Sequence, residues 1–175
     1  FSALSITGNI FLSGEVAPWF SYIVIKPHGV GHVINGLTIN DNRFRSINGF
    51  IDRVERIDTS FADMDYSKLR NIEMSGNSFH GISNPVSNPV QVEHTQASPA
   101  QTWIVDIADR FPFGGWAIAV DSIVMDGPVR DASNIAQHTT PYVMTDQGAD
   151  RNLFHLVWNA SVKGSVFLQA RIDKR

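Results

Sequence analysis

The chain has 175 residues, of which 43% are hydrophobic and 18% charged, with 13 Gly, 8 Pro and no Cys. The formal net charge is −3 and the pI about 6.0, and because basic residues form no stripe we expect no nucleic-acid partner. The lack of cysteine excludes disulfides and thiolate metal sites. No apolar run approaches the roughly 20 residues of a membrane span, and no signal peptide is visible, so we expect no membrane insertion.

An eight-residue pattern occurs three times in the N-terminal half of the chain. Its copies are Leu4–Phe11, Leu37–Phe44 and Ile72–Phe79, and they share the template apolar-x-apolar-x-(Gly/Asp)-Asn-x-Phe. The copies begin at positions 4, 37 and 72, which are offsets of 33 and 35 residues. A nearly fixed period of this size predicts a solenoid, in which each repeat buries its core only by stacking on the next.

Each copy of the pattern combines a strand with a turn. The first half alternates apolar and other residues, as a strand does, and Gly, Asp and Asn then tolerate turn conformations. If the coils stack at strand spacing, equivalent residues lie roughly 4.8 Å apart, with Asn bonded to Asn and Phe stacked on Phe. The expected ladders are Asn9, Asn42 and Asn77, and Phe11, Phe44 and Phe79. The pattern predicts a parallel β-helix.

A second alternation follows each Phe and supports this interpretation. It occurs at Ile23–Ile25, at Ile57–Thr59 with Phe61, and at Val90–Val92. A leucine-rich repeat would need a shorter period and a Leu-rich consensus, and a helical repeat would need 3.6-residue periodicity with fewer glycines. The sequence therefore favours the β-helix over both.

The domain organisation is predicted from where the repeat starts and stops. A solenoid usually opens with a polar cap, whereas here a strand begins almost at the first residue, so we expect residues 1–95 to be the last coils of a longer β-helix. The polar stretch 96–101 is predicted to be a linker. Residues 102–175 are predicted to form a small antiparallel β-sandwich or prism, with a hairpin turn at Lys163–Gly164. This domain would cap the helix end and hold protomers together.

Acidic residues are the first candidates for chemistry, because glycoside hydrolysis uses two carboxylates roughly 5 to 9.5 Å apart. The densest acidic stretch contains Asp52, Glu55, Asp58, Asp63 and Asp65, with Glu73 in the next strand. Basic residues interleave with them, which is typical of solvated surface charge. We therefore assign no catalytic residue.

Two histidines, His28 and His32, occur in a Pro-His-Gly-Val-Gly-His loop. Histidines four residues apart can share a metal on a helix, but the glycines argue against a helix and no third ligand is apparent. We expect no metal and no cofactor. A hydrogen bond to sugar or to backbone is the favoured role of both rings.

Aromatic residues are the strongest candidates for binding, because sugars stack their C–H faces on flat rings while their hydroxyls need polar partners. Trp19 and Tyr22 follow a proline at a loop end, and Trp116 follows a Gly-Gly turn near Asp109 and Arg110. These five residues, with His28 and His32, are the predicted carbohydrate-binding set. Trp103 and Trp158 are predicted to be core or subunit interface, since Trp is usually highly buried.

The repeat and its flanking segments resemble a known family. Leu4–Phe11, Val16–Phe20, Ile23–Pro27 and Phe50–Glu55 are similar to the C-terminal part of pectate-lyase-like β-helix spikes of phages and of alphaproteobacterial gene transfer agents. The resemblance implies a right-handed β-helix and a homotrimer attached to an upstream spike or capsid protein. It also implies synthesis in the cytoplasm, and exposure on a phage-like particle after host lysis. No catalytic motif of a pectate lyase or polygalacturonase is present in these residues.

Three functional hypotheses follow from the sequence. The first is a receptor-binding spike tip that recognises host capsular or surface polysaccharide, with affinity raised by three tethered copies. The second is a tailspike-type hydrolase or lyase with its carboxylates in a groove. The third is a purely structural cap and trimerisation domain.

Overall fold

The computed structural model describes residues 1–174, apart from the side chain of Ala108. The protein is all-β, with 55% of its residues in strands, and helix in the described part is limited to short 3-10 turns. The strands are β1 (Ser2–Thr7), β2 (Ile10–Ser13), β3 (Ile23–Ile25), β4 (Ile34–Asn40), β5 (Arg43–Ser46), β6 (Glu55–Ile57), β7 (Leu69–Glu73), β8 (Ser78–His80), β9 (Val90–Asp106), β10 (Ala119–Arg130), β11 (Ala136–Gln137), β12 (Tyr142–Gln147) and β13 (Leu153–Arg171). The 3-10 turns are Tyr66–Lys68, Ala108–Arg110 and Pro112–Gly114.

The chain divides into two units, and each unit is made of more than one segment of the chain. The N-terminal unit contains Phe1–Pro89, Asp109–Gly115 and the described residues from Ile172 onward. The C-terminal unit contains Val90–Ala108 and Trp116–Arg171. The N-terminal unit is therefore built from three separate chain segments.

Parallel strand pairs organise the N-terminal unit. The strands form sheets in the order β1-β4-β7, β2-β5-β8 and β3-β6, and every pair in them is parallel. Leu4 is paired with Leu37, and Leu37 with Ile72, so the register reproduces the offsets of the sequence repeat. Leu37 and Ile72 are both buried, as the alternating pattern predicts.

The three repeat phenylalanines stack. The rings of Phe11 and Phe44 have centroids 4.8 Å apart and planes inclined by 9°, and those of Phe44 and Phe79 are 5.8 Å apart and inclined by 11°. Parallel strands in register place equivalent side chains above one another, so the rings meet face to face. The middle ring is enclosed on both faces, and Phe44 is buried.

The three repeat asparagines form the second expected ladder. The backbone N–H of Asn9 donates to Oδ1 of Asn42, and that of Asn42 donates to Oδ1 of Asn77, both at 2.9 Å. The Nδ2 groups of Asn42 and Asn77 donate to the carbonyls of Ile6 and Ile39, at 2.8 and 2.7 Å. Each amide therefore satisfies backbone groups of the preceding coil at the point where that coil turns.

The residue before each Asn has a left-handed backbone. The φ angles are +71° at Gly8, +57° at Asp41 and +65° at Gly76, which explains why only Gly and Asp occupy this position. A Cβ built on Gly76 would overlap Oδ1 of Asp41 in the coil above. The torsion of Gly76 disfavours a side chain at this position, and a side chain there would also require that of Asp41 to move.

The outer edge of the last coil is covered by residues from elsewhere in the N-terminal unit. Oδ2 of the buried Asp173 accepts the N–H of Ile72 at 2.8 Å, and its Oδ1 accepts Nδ2 of Asn88 at 2.9 Å. The carbonyl of Asn88 accepts the N–H of Met74 at 2.8 Å. The edge of β7 is therefore hydrogen-bonded rather than open.

The C-terminal unit is one five-stranded antiparallel sheet. The central strand β13 pairs with β9 along one side and with β10 and β12 on the other, and β11 extends β10. Trp103 and Trp158 are buried in its core with ring centroids 4.7 Å apart, the position predicted for both. All strands belong to a single hydrogen-bonded sheet, where the sequence predicts two sheets of a sandwich or prism.

The stretch 96–101, predicted to be a linker, lies inside β9, and Gln96 and Ala100 pair with Gly164 and Val162 of β13. Its polar composition reflects an exposed part of a strand rather than a connection. The segment Val90–Val92, assigned from sequence to the third coil, also belongs to β9. An exposed strand can be polar throughout because neither of its faces needs to be apolar.

The hairpin predicted at Lys163–Gly164 is wrong, because β13 continues through both residues. Register shifts against β9 lie between Val157 and Val162 and between Val162 and Gly164, so the strand is irregular here. Gly164 has φ +154°, and a Cβ at this position would lie 3.2 Å from Cγ1 of Val129. The glycine allows irregularity within a strand rather than a reversal of the chain.

Replacing Asn42 by Ala tests the ladder. The buried amide serves Asn9 and Ile6, so its loss leaves those backbone groups without partners, and we expect a stability loss of about 2–3 kcal/mol. Urea unfolding followed by circular dichroism measures it. Asn9→Ala is the matched control, because Asn9 is exposed and the change should cost less than about 1 kcal/mol. Equal losses in the two variants would contradict a dominant role for the buried amide.

Candidate functional site

The outward face of the pair β3 and β6 is the most prominent candidate surface. Val24 pairs with Arg56, and both side chains point to solvent, while Ile23 and Glu55 on the alternate positions point inward. Strand alternation therefore places an inward acid and an outward base next to each other in the sequence. We call the outward surface and the loops beside it the β3–β6 flank. Its members are Trp19, Val24, Lys26, His28, Arg56, Asp58 and Phe61.

Exposed aromatic rings lie on this flank. Trp19 is 73% exposed and Phe61 is 61% exposed. The imidazole of His28 stacks on Phe61 with centroids 4.2 Å apart and planes inclined by 20°. Stacking holds the two rings in a fixed orientation, and the rest of the Phe61 ring faces solvent.

Charged groups lie beside the rings. Nζ of Lys26 is 6.0 Å from the centroid of Phe61 and 3.3 Å from a carboxylate oxygen of Asp58. Nη1 of Arg56 donates to the carbonyl of Trp19 at 3.4 Å. These contacts connect both aromatic groups to one set of hydrogen-bonding side chains. A flat apolar platform with a polar rim suits a sugar ring better than it suits an apolar ligand.

Tyr22, predicted to bind carbohydrate, instead belongs to the packing around the phenylalanine stack. Its hydroxyl donates to the carbonyl of Arg45 at 2.8 Å and lies 2.7 Å from Oγ of Ser13. Its ring lies 5.6 Å from that of Phe11 and 5.7 Å from that of Phe44. The hydroxyl is used within the fold, and the ring supports the first two coils.

His32 connects two loops of the N-terminal unit. Its Nε2 accepts the backbone N–H of Asp65 at 2.9 Å, so the ring carries its proton on Nδ1, which donates to the carbonyl of Gly29 at 2.8 Å. Both nitrogens are therefore used by the backbone, one of the two roles expected from the sequence. No group of three or more His, Asp or Glu residues in the described part of the chain is placed to hold a metal ion.

The remaining predicted residues, Asp109, Arg110 and Trp116, are divided between the two units. In the N-terminal unit, the carbonyl of Asp109 accepts Nη1 of Arg53 at 3.2 Å. In the C-terminal unit, the guanidinium of Arg151 lies 4.0 Å from the centroid of the Trp116 ring, which is half-buried. The three residues are close in sequence because the chain passes from the N-terminal unit to the C-terminal unit between Gly115 and Trp116.

The exposed acids are held ionised. The hydroxyl and backbone N–H of Ser60, with Lys26, hold the pKa of Asp58 at about 2, below its ordinary value of 3.8. The hydroxyl of Ser67 and the ammonium of Lys68 likewise lower the pKa of Asp65. A general acid in glycoside hydrolysis needs a raised pKa, so these two carboxyls are poorly suited to that role.

Glu55 is the acid with the opposite behaviour. Burial raises its pKa above the ordinary value, and the charge of Arg53 and a hydrogen bond from Phe113 oppose that rise. One oxygen lies 2.9 Å from Nη2 of Arg53 and accepts the N–H of Phe113 at 2.9 Å. Arg53 also donates to the carbonyl of Phe111. The buried pair thus attaches the segment 109–115 to β6, which is a structural role.

A cleft of about 650 Å³ opens beside β1. It is lined by inward side chains of the first coil, including Leu4, Ile6 and Phe11, together with Tyr22, His28 and His32. The cleft therefore brings three of the predicted binding residues to one place. Its lining is mostly apolar.

Sequence reasoning missed Phe61, Lys26 and Arg56 as members of the flank. The apolar residue Phe61 was assigned to strand alternation, and its stacking on His28 depends on two loops that meet only in the folded chain. The signal that could have found them is the parallel pairing of β3 with β6, which puts Lys26 beside Asp58.

Comparison of the chain with protein-family models, with curated proteins and with solved structures gives no significant match. The described chain contains no helix with the length and apolarity that crossing a membrane requires. The site is therefore interpreted from its own geometry.

Replacing Arg53 by Met tests the buried pair through pH. A raised folded-state pKa means that the contribution of Glu55 to stability is present below pH 4.5 and is lost as the pH rises through the folded pKa. Without Arg53 that pKa rises further, so we expect a loss of about 3 kcal/mol at pH 7 that becomes smaller toward pH 5.

The measurement is urea unfolding at several pH values. Arg56→Met is the control, because Arg56 is an exposed cation in β6 next to Glu55, and its loss should cost little at any pH. A loss in Arg53→Met that does not change with pH would mean that Arg53 acts through the carbonyls of 109 and 111 alone.

Proposed function

We propose that the N-terminal unit is the end of a right-handed parallel β-helix and that its β3–β6 flank binds polysaccharide. Three observations support the β-helix: the parallel sheets, the registers offset by the repeat length, and the Asn and Phe ladders. Solenoids of this kind present long, rigid lateral surfaces, which is where extended ligands bind.

The observation that carries the binding proposal is the exposed Trp19 and the His28–Phe61 stack beside Lys26, Arg56 and Asp58. Rings with large exposed fractions rarely contribute to folding, since a ring stabilises the fold mainly by being buried. Sugar C–H faces match such rings, and sugar hydroxyls can both accept from the cations and donate to the carboxylate. A capsular or surface polysaccharide, with many repeated units, could contact both ring groups at once.

In the wider proposal, which follows the family resemblance, the chain belongs to the receptor-binding spike of a phage-like particle such as a gene transfer agent. It would act as a homotrimer attached to an upstream spike or capsid protein, made in the cytoplasm and exposed outside the cell after host lysis. The C-terminal sheet would cap and trimerise the spike. Three flanks would raise a weak single-site affinity by multivalency.

Cleavage of the polysaccharide is the alternative proposal. The exposed acids Asp58 and Asp65 have lowered pKa values, and the acid with a raised pKa, Glu55, is enclosed beside Arg53. This arrangement favours binding over general-acid chemistry. The purely structural alternative leaves the exposed rings without a role.

Alanine substitutions on the flank test the binding proposal. The protein is passed over a panel of immobilised bacterial capsular polysaccharides, and affinity is measured for each glycan retained. Trp19→Ala or Phe61→Ala should weaken binding about tenfold, because each removes one ring worth roughly 1.4 kcal/mol of stacking.

The control is Tyr142→Ala, which removes an equally exposed ring from the C-terminal unit and should leave affinity unchanged. Release of reducing or unsaturated ends during incubation would favour the enzyme. Full retention by both flank variants would remove the flank from the site, and no retention of any glycan would favour the structural role.

A further inference from the structure

We infer that the outward face of β5 and β8 binds the acidic groups of a charged polysaccharide. We call this surface the arginine face and define it as Arg43, Arg45, Ser78 and His80. It lies on a different sheet from the β3–β6 flank. The inference rests on the proposed function for the kind of ligand, and it adds the charge that this ligand carries and a second surface that holds it.

Strand alternation builds the arginine face. In β5, Arg43 and Arg45 are exposed on either side of the buried Phe44. The next strand, β8, repeats this arrangement, with two exposed residues on either side of a half-buried phenylalanine. Because the phenylalanine rings point inward and stack on one another, the residues beside them point outward. The same stack that orders the coils therefore fixes the direction of both arginine side chains.

The parallel register brings the polar groups of the two strands together. Arg43 pairs with Ser78, and Arg45 pairs with His80. Strand spacing places the members of each pair roughly 4.8 Å apart, and the two arginines are roughly 7 Å apart along β5. All four residues line a shallow depression of about 250 Å³. A depression of this size holds part of a ligand, such as one acidic group with the sugar that carries it.

The two arginine side chains are not neutralised by the fold. Within the described part of the chain, no ion pair or side-chain hydrogen bond involves Arg43 or Arg45. By contrast, Arg53 lies 2.9 Å from a carboxylate oxygen of Glu55. Like charges at such short range repel each other, so placing two guanidinium groups together does not stabilise the fold. Their N–H donors are free to bind a ligand.

The donors of the arginine face match an acidic group. Each guanidinium presents a planar fork of N–H groups, which fits two oxygens of one carboxylate or phosphate. The imidazole of His80 and the hydroxyl of Ser78 are further donors for the same group. A neutral sugar offers no comparable charge, so the surface favours an acidic ligand over a neutral one.

The extent of the charge favours a polysaccharide over a nucleic acid. Stable binding to a nucleic acid uses roughly 6 to 10 phosphate contacts along a closely spaced row. The arginine face has two arginines, and the whole chain has a net charge of −3. An acidic polysaccharide carries one charge for each sugar or repeat unit, which a pair of arginines can match.

The test measures binding to the full chain by isothermal titration calorimetry. The probes are an oligogalacturonate, the same oligosaccharide after reduction of its carboxyl groups to alcohols, and a glycerol-phosphate oligomer. We expect at least one acidic probe to bind, with its identity distinguishing carboxylate from phosphate, and the reduced probe not to bind. Arg43→Gln or Arg45→Gln should weaken binding about tenfold through the lost charge-assisted hydrogen bonds. The side-chain Nε–H signals of both arginines should shift in NMR spectra on binding.

Arg130→Gln is the matched control, because it removes the same charge from the C-terminal unit and should leave affinity unchanged. The inference is overturned if neither acidic probe binds, if the reduced oligosaccharide binds equally well, or if both variants of the arginine face bind as the native chain does. Single-stranded DNA that binds as tightly through the same arginines would also overturn it, in favour of a general polyanion surface.

The results for this surface and for the β3–β6 flank are distinguishable. If Trp19→Ala weakens the binding of a retained glycan and Arg45→Gln does not, the flank proposal stands and the inference fails. If only Arg45→Gln weakens binding, the inference stands and the flank is removed from the site. Each surface is thus tested by a variant that leaves the other intact.

Discussion

The side-chain amide of Asn42 is the interaction on which the N-terminal unit depends. It is buried where the chain turns from β4 to β5, accepts from the coil above and donates to the carbonyl of Ile6. A tight turn inside a stack would otherwise leave backbone groups unpaired and away from water, which costs about 1–3 kcal/mol each. The ladder therefore allows the turn to be enclosed, and the enclosed turn allows Phe44 to stack on both neighbours.

Two buried acids connect distant segments of the chain within this unit. Glu55 holds the segment containing Phe113, and Asp173 holds Ile72 across a separation of 101 residues. The outer edge of the last coil is consequently completed by a residue that lies 101 residues further along the chain. Contacts at such separation cost more loop entropy than local ones, so the unit should complete its folding late.

The sequence predicted the parallel register of the repeat strands well because the constraints on them recur. Three copies of Asn-x-Phe carry the register, the turn torsion and the inward side chains in one short pattern. The prediction from sequence was wrong where one residue type can occur in two kinds of structure. Gly164 was interpreted as a turn but accommodates irregularity in a strand beside Val129, and the polar stretch 96–101 forms an exposed strand.

The candidate site was harder to predict than the register of the repeat strands. Trp19 and His28 are predictions from residue type, whereas the stacking of His28 on Phe61 and the contact of Arg56 with Trp19 join segments more than 30 residues apart. Tyr22 and His32 have hydrogen-bonding capacity that suits a ligand, and the fold uses that capacity itself. Residue type alone does not distinguish these two uses.

The contact between Asp41 and Gly76 has a consequence for how such a chain evolves. A Cβ on Gly76 would overlap Oδ1 of Asp41, so a larger residue at this position would require the exposed Asp41 side chain to turn away. The turn residues of neighbouring repeats therefore influence one another, although the repeats share one consensus. Duplication or exchange of repeats would be easiest where a turn with Asp is followed by a turn with Gly.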